Sequence, residues 1–462
     1  MIEIDHKGQS EASSPVKSAQ PITADRLLEL EERQRAGSNK KNGGLGRIKT
    51  GCLEIDDYVL CASKNESNAG FERGIVVGLS AADGDESRAS RLISLNLIAS
   101  VLLRHVDLVN AIQNPQIDSR HISKPKVVVI DTTGSFNLPL LVKVLRSRLH
   151  KMKNEMRSMD DTNMNCENSH NSGADTEIEI QKEVNAMLEL VAISRVFDIE
   201  GLWEVLSEIG RTDDHRSNDE DDQDISKNSP SRKGKFVEKQ AEHPLYKLPD
   251  EIGDSEEEDI EMSPPPVKPS TSNTSTSEAE TSPEILVIDN MHYLISHLFT
   301  HSEKSSAHNL LSLLSRTLHT LTHTQNILTI LHNTTISTKI NYTKPGARQV
   351  PPATQSIITS TAQKPSLGRI FDDFLDLHIM ISKIPKRRED SEVLYGQDEN
   401  FPGHEVNSCF VFEVLRDECP VLGGDRDLGR RFGDREQRWG LFEVGNEGME
   451  LVDAFRSEDN RG

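Results

Sequence analysis

The chain has 462 residues, of which 35% are hydrophobic and only 4% are aromatic. This apolar content is lower than that of a compact globular domain, so part of the chain is predicted to be disordered. The formal net charge of −22 excludes non-specific binding of nucleic acid or anionic membrane by the surface as a whole, because phosphates repel an evenly acidic surface.

The pattern of cysteines and the composition of the N-terminus predict the cellular compartment of the protein. The five cysteines are scattered without a C-x-x-C pair, which favours reduced thiols over disulfides or a zinc site. The N-terminus lacks an apolar core of signal-peptide length, and no run approaches the roughly 20 apolar residues of a membrane helix. We therefore expect a soluble, intracellular protein without a membrane partner.

Strands and helices alternate along the first three quarters of the chain. A disordered tail at 1–22 precedes a short amphipathic helix with Thr23 as its N-cap and Gly37 as its stop. Apolar strands follow, most of them with a helical stripe behind them, in the segments GIVVGLS, KVVVID, VAISRVF, EILVID and NILTILHN. Unbroken apolar strands of this kind predict an α/β fold with a mostly parallel sheet and helices on both faces.

The pattern changes beyond Leu367. Strands without intervening helices follow one another, separated by polar, glycine-bearing turns, in the segments LHIMISKI, CFVFEVL, RWGLFEV and MELVDAF. These strands are typical of antiparallel hairpins, and we expect them to extend the parallel sheet.

Two segments have the composition of linkers. Residues 151–176 are polar and Asn-rich, and residues 211–283 are acidic and rich in Ser, Thr and Pro. Such segments cannot offset their ordering entropy by burial, so both are predicted to be disordered insertions. They divide the predicted core into 23–150, 177–210 and 284–455, with a tail at 456–462.

The stretch GIVVGLSAADGDESRAS begins like the strand and turn of a phosphate-binding P-loop. The P-loop pattern G-x-x-x-x-G-K-[ST] uses backbone N–H groups and Lys to hold phosphates, and Ser/Thr to hold Mg²⁺. With Ser87 at the final position, Ser80 replaces the first Gly, Asp85 the second Gly and Glu86 the Lys. Carboxylates beside a triphosphate cost several kcal/mol, so ordinary ATP binding is disfavoured.

Seven segments of the chain, taken in order, resemble the RecA-family eukaryotic recombinases and, more closely, their paralogues in homologous-recombination repair. The segments are TGCLEIDDYVL, GFERGIVVGLS, VVVIDTTGSF, SRVFDIEGLWEVL, ILVIDN, NILTILHNTT and SLGRIFDDFLDLHIMISK. The resemblance implies a RecA-like P-loop NTPase core. It also implies nuclear localisation and recombinase-family subunits as partners in a hetero-oligomer.

The resemblance also assigns roles to residues, and most catalytic positions are altered. Thr133 stands where the family places the glutamate that polarises water, and Glu86 or Ser87 stands at the Lys position. Retained positions of a weak nucleotide site are Gly84, Ser87, Asp289, which would reach Mg²⁺ through water, and Asn333, which would sense the γ-phosphate. A polar strand end explains Asn333 equally well. No catalytic residue is expected, and Asp85 and Glu86 disfavour ATP and Mg²⁺ as cofactors.

One basic region interrupts the acidic chain. Between Glu303 and Asp372 there is no acidic residue, and the segment carries seven Lys or Arg. The candidates for binding single-stranded DNA lie in its second half and are Lys339, Lys344, Arg348, Lys364 and Arg369. In the resembling family this loop faces the DNA axis, whereas a basic loop without a ligand remains the alternative.

A histidine pair in the same region raises the question of a metal site. His319 and His323 are spaced i, i+4 like helical metal ligands, but Thr320 stands where the zinc-protease motif has Glu. No metal site is expected from this pattern.

The sequence therefore favours a recombinase paralogue in DNA recombination and repair with little or no ATP hydrolysis. Two alternatives stay open: a DNA-dependent ATPase with an altered phosphate loop, and an acidic interaction scaffold unrelated to DNA.

Overall fold

The protein is described here by a computed structural model. The described residues are 46–61, 69–105, 124–160, 173–210, 282–337, 356–358, 363–396, 406–419, 435–445 and 447–455. The predicted tails, the helix after Thr23 and residues 211–281 of the second predicted insertion lie outside these ranges.

A ten-stranded sheet organises the described residues. Its strands are β1 (Val76–Ala81), β2 (Val127–Asp131), β3 (Val191–Arg195), β4 (Ile285–Asp289), β5 (Leu328–Ser337), β6 (Gln363–Pro365), β7 (Leu377–Pro385), β8 (Ser408–Asp417), β9 (Trp439–Val444) and β10 (Leu451–Asp453). They lie in the order β10-β9-β8-β7-β1-β5-β4-β2-β3, and β6 pairs with the end of β5. Strand β1 is therefore central, between β5 and β7.

The pairing directions divide the sheet into two parts. Strands β3, β2, β4, β5, β1 and β7 are parallel to their neighbours, whereas β7, β8, β9 and β10 form an antiparallel series. The predicted C-terminal hairpins thus extend the parallel sheet from β7 onwards.

Helices cover both faces of the sheet. They are α1 (Asp85–Arg104), α2 (Leu138–Asp160), α3 (Gly173–Leu188), α4 (Ile199–Gly210), α5 (Met291–His301), α6 (Lys304–Gln325), α7 (Arg369–Asp372) and α8 (Arg388–Tyr395). Helices α1, α2 and α3 share one apolar core, and α4, α5 and α6 share the other.

Alternation along the strands explains the two cores. In β2, Val127 and Val129 belong to the first core, whereas Val128 and Ile130 belong to the second. Successive side chains of a strand point to opposite faces, so a strand buried on both faces must be apolar at every position. The predicted class, a mostly parallel α/β sheet with helices on both faces and C-terminal antiparallel hairpins, is confirmed.

The predicted insertion at 151–176 was placed too broadly. Helix α2 continues to Asp160 and α3 begins at Gly173, so residues 161–172 alone lie outside the described residues. Ion pairs join the two helices, with Lys153 Nζ 3.1 Å from Glu183 and His150 Nε2 3.1 Å from Glu177. Lys153 of the predicted insertion therefore belongs to a helix that contacts α3 through charged side chains.

A helix also occurs among the C-terminal strands, where the sequence predicts strands alone. Helix α8 follows β7, and its N-terminus is closed by Asp390, whose carboxylate accepts a hydrogen bond from the backbone of Arg387 at 3.1 Å. Its charged sequence hides the helical pattern. No helix among the described residues is long and apolar enough to cross a membrane.

Candidate functional site

The candidate site lies where β1 ends and α1 begins, at the carboxyl edge of the central parallel strands. Ser80 is inside β1 and fully buried, so it is not part of a loop. Only Ala82, Asp83 and Gly84 separate the strand from the helix. Gly84 has φ +100°, a conformation that requires glycine, and a side chain there would meet open space. The strand and the helix therefore extend into the positions from Ser80 to Asp85 that the predicted alignment assigns to the phosphate loop.

Backbone N–H groups at this turn are used within the chain. The N–H of Ser87 donates to the carbonyl of Ala82 at 2.9 Å, and the N–H of Arg88 donates to the carbonyl of Gly84 at 3.1 Å. A phosphate cradle instead directs such groups at the ligand. The turn therefore resembles an ordinary strand-to-helix connection more than a phosphate site.

Acidic side chains occupy the helix N-terminus, where a phosphate would bind. Asp85 and Glu86 lie in the first turn of α1, where negative charge complements the helix dipole. The ammonium of Lys383 on β7 hydrogen-bonds Asp85 at 2.6 Å, and that hydrogen bond and its charge lower the pKa of the Asp85 carboxyl. The chain thus supplies its own anion at this position.

Asp289, the predicted magnesium-side carboxylate, is paired with an arginine. At the end of β4 it is buried and accepts from Arg91 Nε at 2.7 Å and from Arg91 Nη2 at 3.3 Å. A bidentate Arg–carboxylate pair is a strong, directional contact. The guanidinium therefore engages both carboxylate oxygens of Asp289.

Arg91 was missed by sequence analysis. It stands one turn after Ser87 on α1, a spacing that places both side chains on the same face of the helix. That spacing was the available signal, but the partner on β4 lies too far along the sequence to be identified by pattern.

The turn after β2 holds Thr133, which stands where the resembling family has glutamate. Asp131 Oδ1 accepts from the backbone N–H groups of Thr133, Gly134 and Ser135 at 2.8–3.1 Å, so this carboxylate stabilises the turn. The Thr133 hydroxyl contacts Ser135 Oγ at 2.6 Å. Thr133 and Ser135 carry hydroxyl groups, so neither side chain supplies a carboxylate that could activate water.

Asn333 is engaged inside the protein. Its amide donates to Ser80 Oγ at 3.1 Å and to the carbonyl of Ser366 at 3.2 Å, and its Oδ1 accepts from Ser366 Oγ at 2.6 Å. The residue is buried. These contacts favour the structural role of a polar strand end over γ-phosphate sensing.

Ser80, His378 and Asp372 form a chain of hydrogen bonds that resembles a hydrolase triad. Ser80 Oγ lies 2.9 Å from His378 Nε2, and His378 Nδ1 lies 2.8 Å from Asp372 Oδ1. Ser80 is 0% exposed and His378 is 1% exposed. A nucleophile must reach its substrate, so the arrangement serves to join β1 to β7 through a satisfied polar network.

His332 links β5 to α1 in a similar way. Its Nδ1 lies 3.1 Å from Ser90 Oγ and its Nε2 lies 2.8 Å from Ser94 Oγ. Burial lowers the pKa of His332, and the Arg91 charge acts in the same direction against the raising effect of Asp289. A neutral imidazole between two hydroxyls fixes the helix against the sheet.

The DNA-binding candidates fall in two groups. Lys339, Lys344 and Arg348 lie outside the described residues. Lys364 is exposed on β6 opposite Ile336 of β5, and Arg369 is exposed at the first residue of α7. Lys364 therefore lies where the carboxyl end of β5 extends beyond β1.

Similarity to known proteins is found at the level of structure. No protein-family model and no curated protein matches the chain. The crystal structure of the RadB recombinase is similar over 88% of this chain and 99% of that chain, at 11% identity and a TM-score of 0.38. At these values the similarity carries no conclusion about activity, and the description of the fold rests on the strand order itself.

Replacing Glu86 by lysine is expected not to create ATP hydrolysis. Thr133 still lacks a carboxylate to position water, and Arg91 still pairs with Asp289. Release of phosphate from ATP should stay at the background level of the unaltered protein. Turnover from this single change would mean that another residue serves as the base.

Proposed function

We propose that this chain acts in DNA recombination and repair as a non-hydrolysing paralogue of the RecA-type recombinases. Its role is to bind recombinase-family subunits, together with single-stranded DNA, in the nucleus. The observation that carries the proposal is that residues at the retained nucleotide-binding positions form hydrogen bonds within the chain. Asp289 ends β4, Asn333 lies in β5 opposite Ser80 of β1, and Ser87 lies in the first turn of α1. The side chains of Asp289 and Asn333 and the backbone N–H of Ser87 are all hydrogen-bonded within the chain.

This combination is expected in a protein that descends from a nucleotide-binding ancestor and no longer binds the nucleotide. In open α/β sheets, ligands bind at the carboxyl ends of the strands. Here the Asp85 carboxylate takes the place of a phosphate, and the Arg91 guanidinium takes the place of a cation. The carboxyl edge of the sheet therefore has its charges paired without nucleotide. A surface of this kind supports assembly with partner subunits rather than catalysis.

Basic residues support contact with DNA. The acid-free segment between Glu303 and Asp372 carries Lys364 on an exposed position next to the extended end of β5, and Arg369 on an exposed position at the start of α7. Cations that reach phosphates without competing carboxylates give sequence-independent affinity that depends on salt.

A salt series tests the contact with DNA. Replacing Lys339, Lys344 and Arg348 by alanine should weaken binding of single-stranded oligonucleotides of any sequence. Each lost phosphate contact lowers the slope of log K against log salt by about 0.7, so three lower it by about 2. The measurement is fluorescence anisotropy of labelled oligonucleotides at several salt concentrations.

Two cations in the same acid-free segment provide the matched control. Lys304 and Arg316 are exposed on helix α6, outside the loop that holds the three replaced residues, and their replacement by alanine should leave the slope unchanged. Equal affinity and equal slope in the triple variant would remove this loop from the proposal and favour a protein-only scaffold. Measurable ATP turnover stimulated by oligonucleotide would instead favour an ATPase.

A further inference from the structure

Three potential metal ligands converge at the opposite edge of the sheet from the candidate site. His319 and His323 lie one turn apart on α6, and Asp376 directly precedes β7. One ligand atom of each residue lies within 4.8 Å of the other two. Asp376 stands beside Val76, where β1 begins, whereas the turn at Gly84 follows the strand's other end.

The carboxylate of this group is held in place before any ion binds. Asp376 Oδ2 accepts from the N–H of Val76 at 2.8 Å, and the N–H of Asp376 donates to the carbonyl of Val76 at 2.9 Å. The same Oδ2 lies 3.7 Å from His319 Nδ1. An outer-shell hydrogen bond of this kind orients a metal-ligating carboxylate.

The two imidazoles are arranged as a chelating pair. Their rings lie nearly parallel, 18° apart, with centroids separated by 6.0 Å. Ligand atoms around tetrahedral zinc lie about 3.4 Å apart, given bonds of about 2.0–2.1 Å. The histidine side chains are half-buried rather than fully enclosed, with His319 26% exposed, so small rotations of the imidazoles bring the ligand atoms to this spacing around Asp376, which is 14% exposed.

The surrounding backbone favours a cation. His323 lies in the last turn of α6, which ends at Gln325 with Asn326 in the left-handed conformation. The C-terminal end of the helix dipole carries partial negative charge and attracts cations. Partial exposure leaves a path for the ion and a fourth position for water.

We propose that His319, His323 and Asp376 form a zinc(II) site that ties α6 to the start of β7. Two imidazoles and one carboxylate are a zinc donor set, and the fourth ligand is water. Sequence analysis rejected the histidine pair because it compared only the zinc-protease motif. The third ligand is in another element and comes close through the pairing of β1 with β7.

Titration of the metal-free full chain with ZnCl₂, in competition with a zinc-chelating dye, tests the site. The unaltered protein should bind one zinc ion at the site, and His323→Ala and Asp376→Asn should each lower the affinity at least about tenfold. Zinc at 100 times its Kd should raise Tm by about 5 °C in the unaltered protein and by little in either variant. Asp376→Asn keeps an acceptor for Val76, so folding is preserved.

A second histidine pair serves as the control. His297 and His301 on α5 have the same spacing, and their rings lie 4.4 Å apart. The variant His297→Ala, His301→Ala should retain zinc affinity and the rise in Tm. Equal affinity in His323→Ala and the unaltered protein, or loss of binding in the α5 variant, would overturn the proposal.

Discussion

Replacing Arg435 by methionine is expected to lower the free energy of unfolding by about 3–5 kcal/mol. Arg435 is 3% exposed and binds Asp417 at the end of β8 through Nε at 2.8 Å and Nη2 at 2.9 Å. Removing the guanidinium leaves a buried carboxylate without its counter-charge. Chemical denaturation in urea at neutral pH measures the loss.

An exposed ion pair is the control that separates the effect of burial on stability from the effect of charge pairing. Arg388 and Glu392 on α8 form an i, i+4 pair at 2.8 Å, but the Arg388 side chain is 88% exposed. Arg388→Met should therefore cost at most about 0.5 kcal/mol. The double variant Asp417→Asn, Arg435→Met should recover part of the loss, because no unpaired charge remains. Equal losses for the two arginine variants would show that the Asp417 pair is not desolvated.

Replacing Glu284 by glutamine is expected to lower the free energy of unfolding by about 3 kcal/mol at pH 7. Glu284 precedes β4 and accepts from Arg73 Nη2 at 2.5 Å and from His105. Burial alone would raise its pKa, but the hydrogen bonds and charges of His105 and Arg73 outweigh burial and lower the pKa to about 2.

The sign of the pH dependence follows from that depressed pKa. The stabilisation is complete above the unfolded-state pKa near 4.5 and is lost as the pH falls towards 2. The difference between Glu284→Gln and the unaltered protein should therefore shrink to less than half at pH 3. Urea denaturation at pH 7, 4 and 3 measures it, with Glu392→Gln as the exposed control. A difference that stays constant with pH would contradict the assignment.

Sequence alone determined the fold class of this protein. Unbroken apolar strands such as VVVID can be buried on both faces only in a parallel sheet covered by helices, and strands β2 and β4 have that environment. The alternating pattern after Leu367 likewise predicted antiparallel strands. The charged α8 and the second half of α2 were not foreseen, because their helical stability comes from local capping and from ion pairs with α3.

The sequence also predicted an altered phosphate loop, because Asp85, Glu86 and Thr133 stand where the resembling family has Gly, Lys and Glu. Tertiary structure decided which contacts form around this loop. Arg91 pairs with Asp289, Ser80 with His378, and Lys383 with Asp85, in each case across neighbouring elements. At the opposite edge of the sheet, tertiary structure likewise brings His323 close to Asp376. Parallel strands bring residues hundreds of positions apart to one edge of the sheet, and such distances leave no periodic pattern in the sequence.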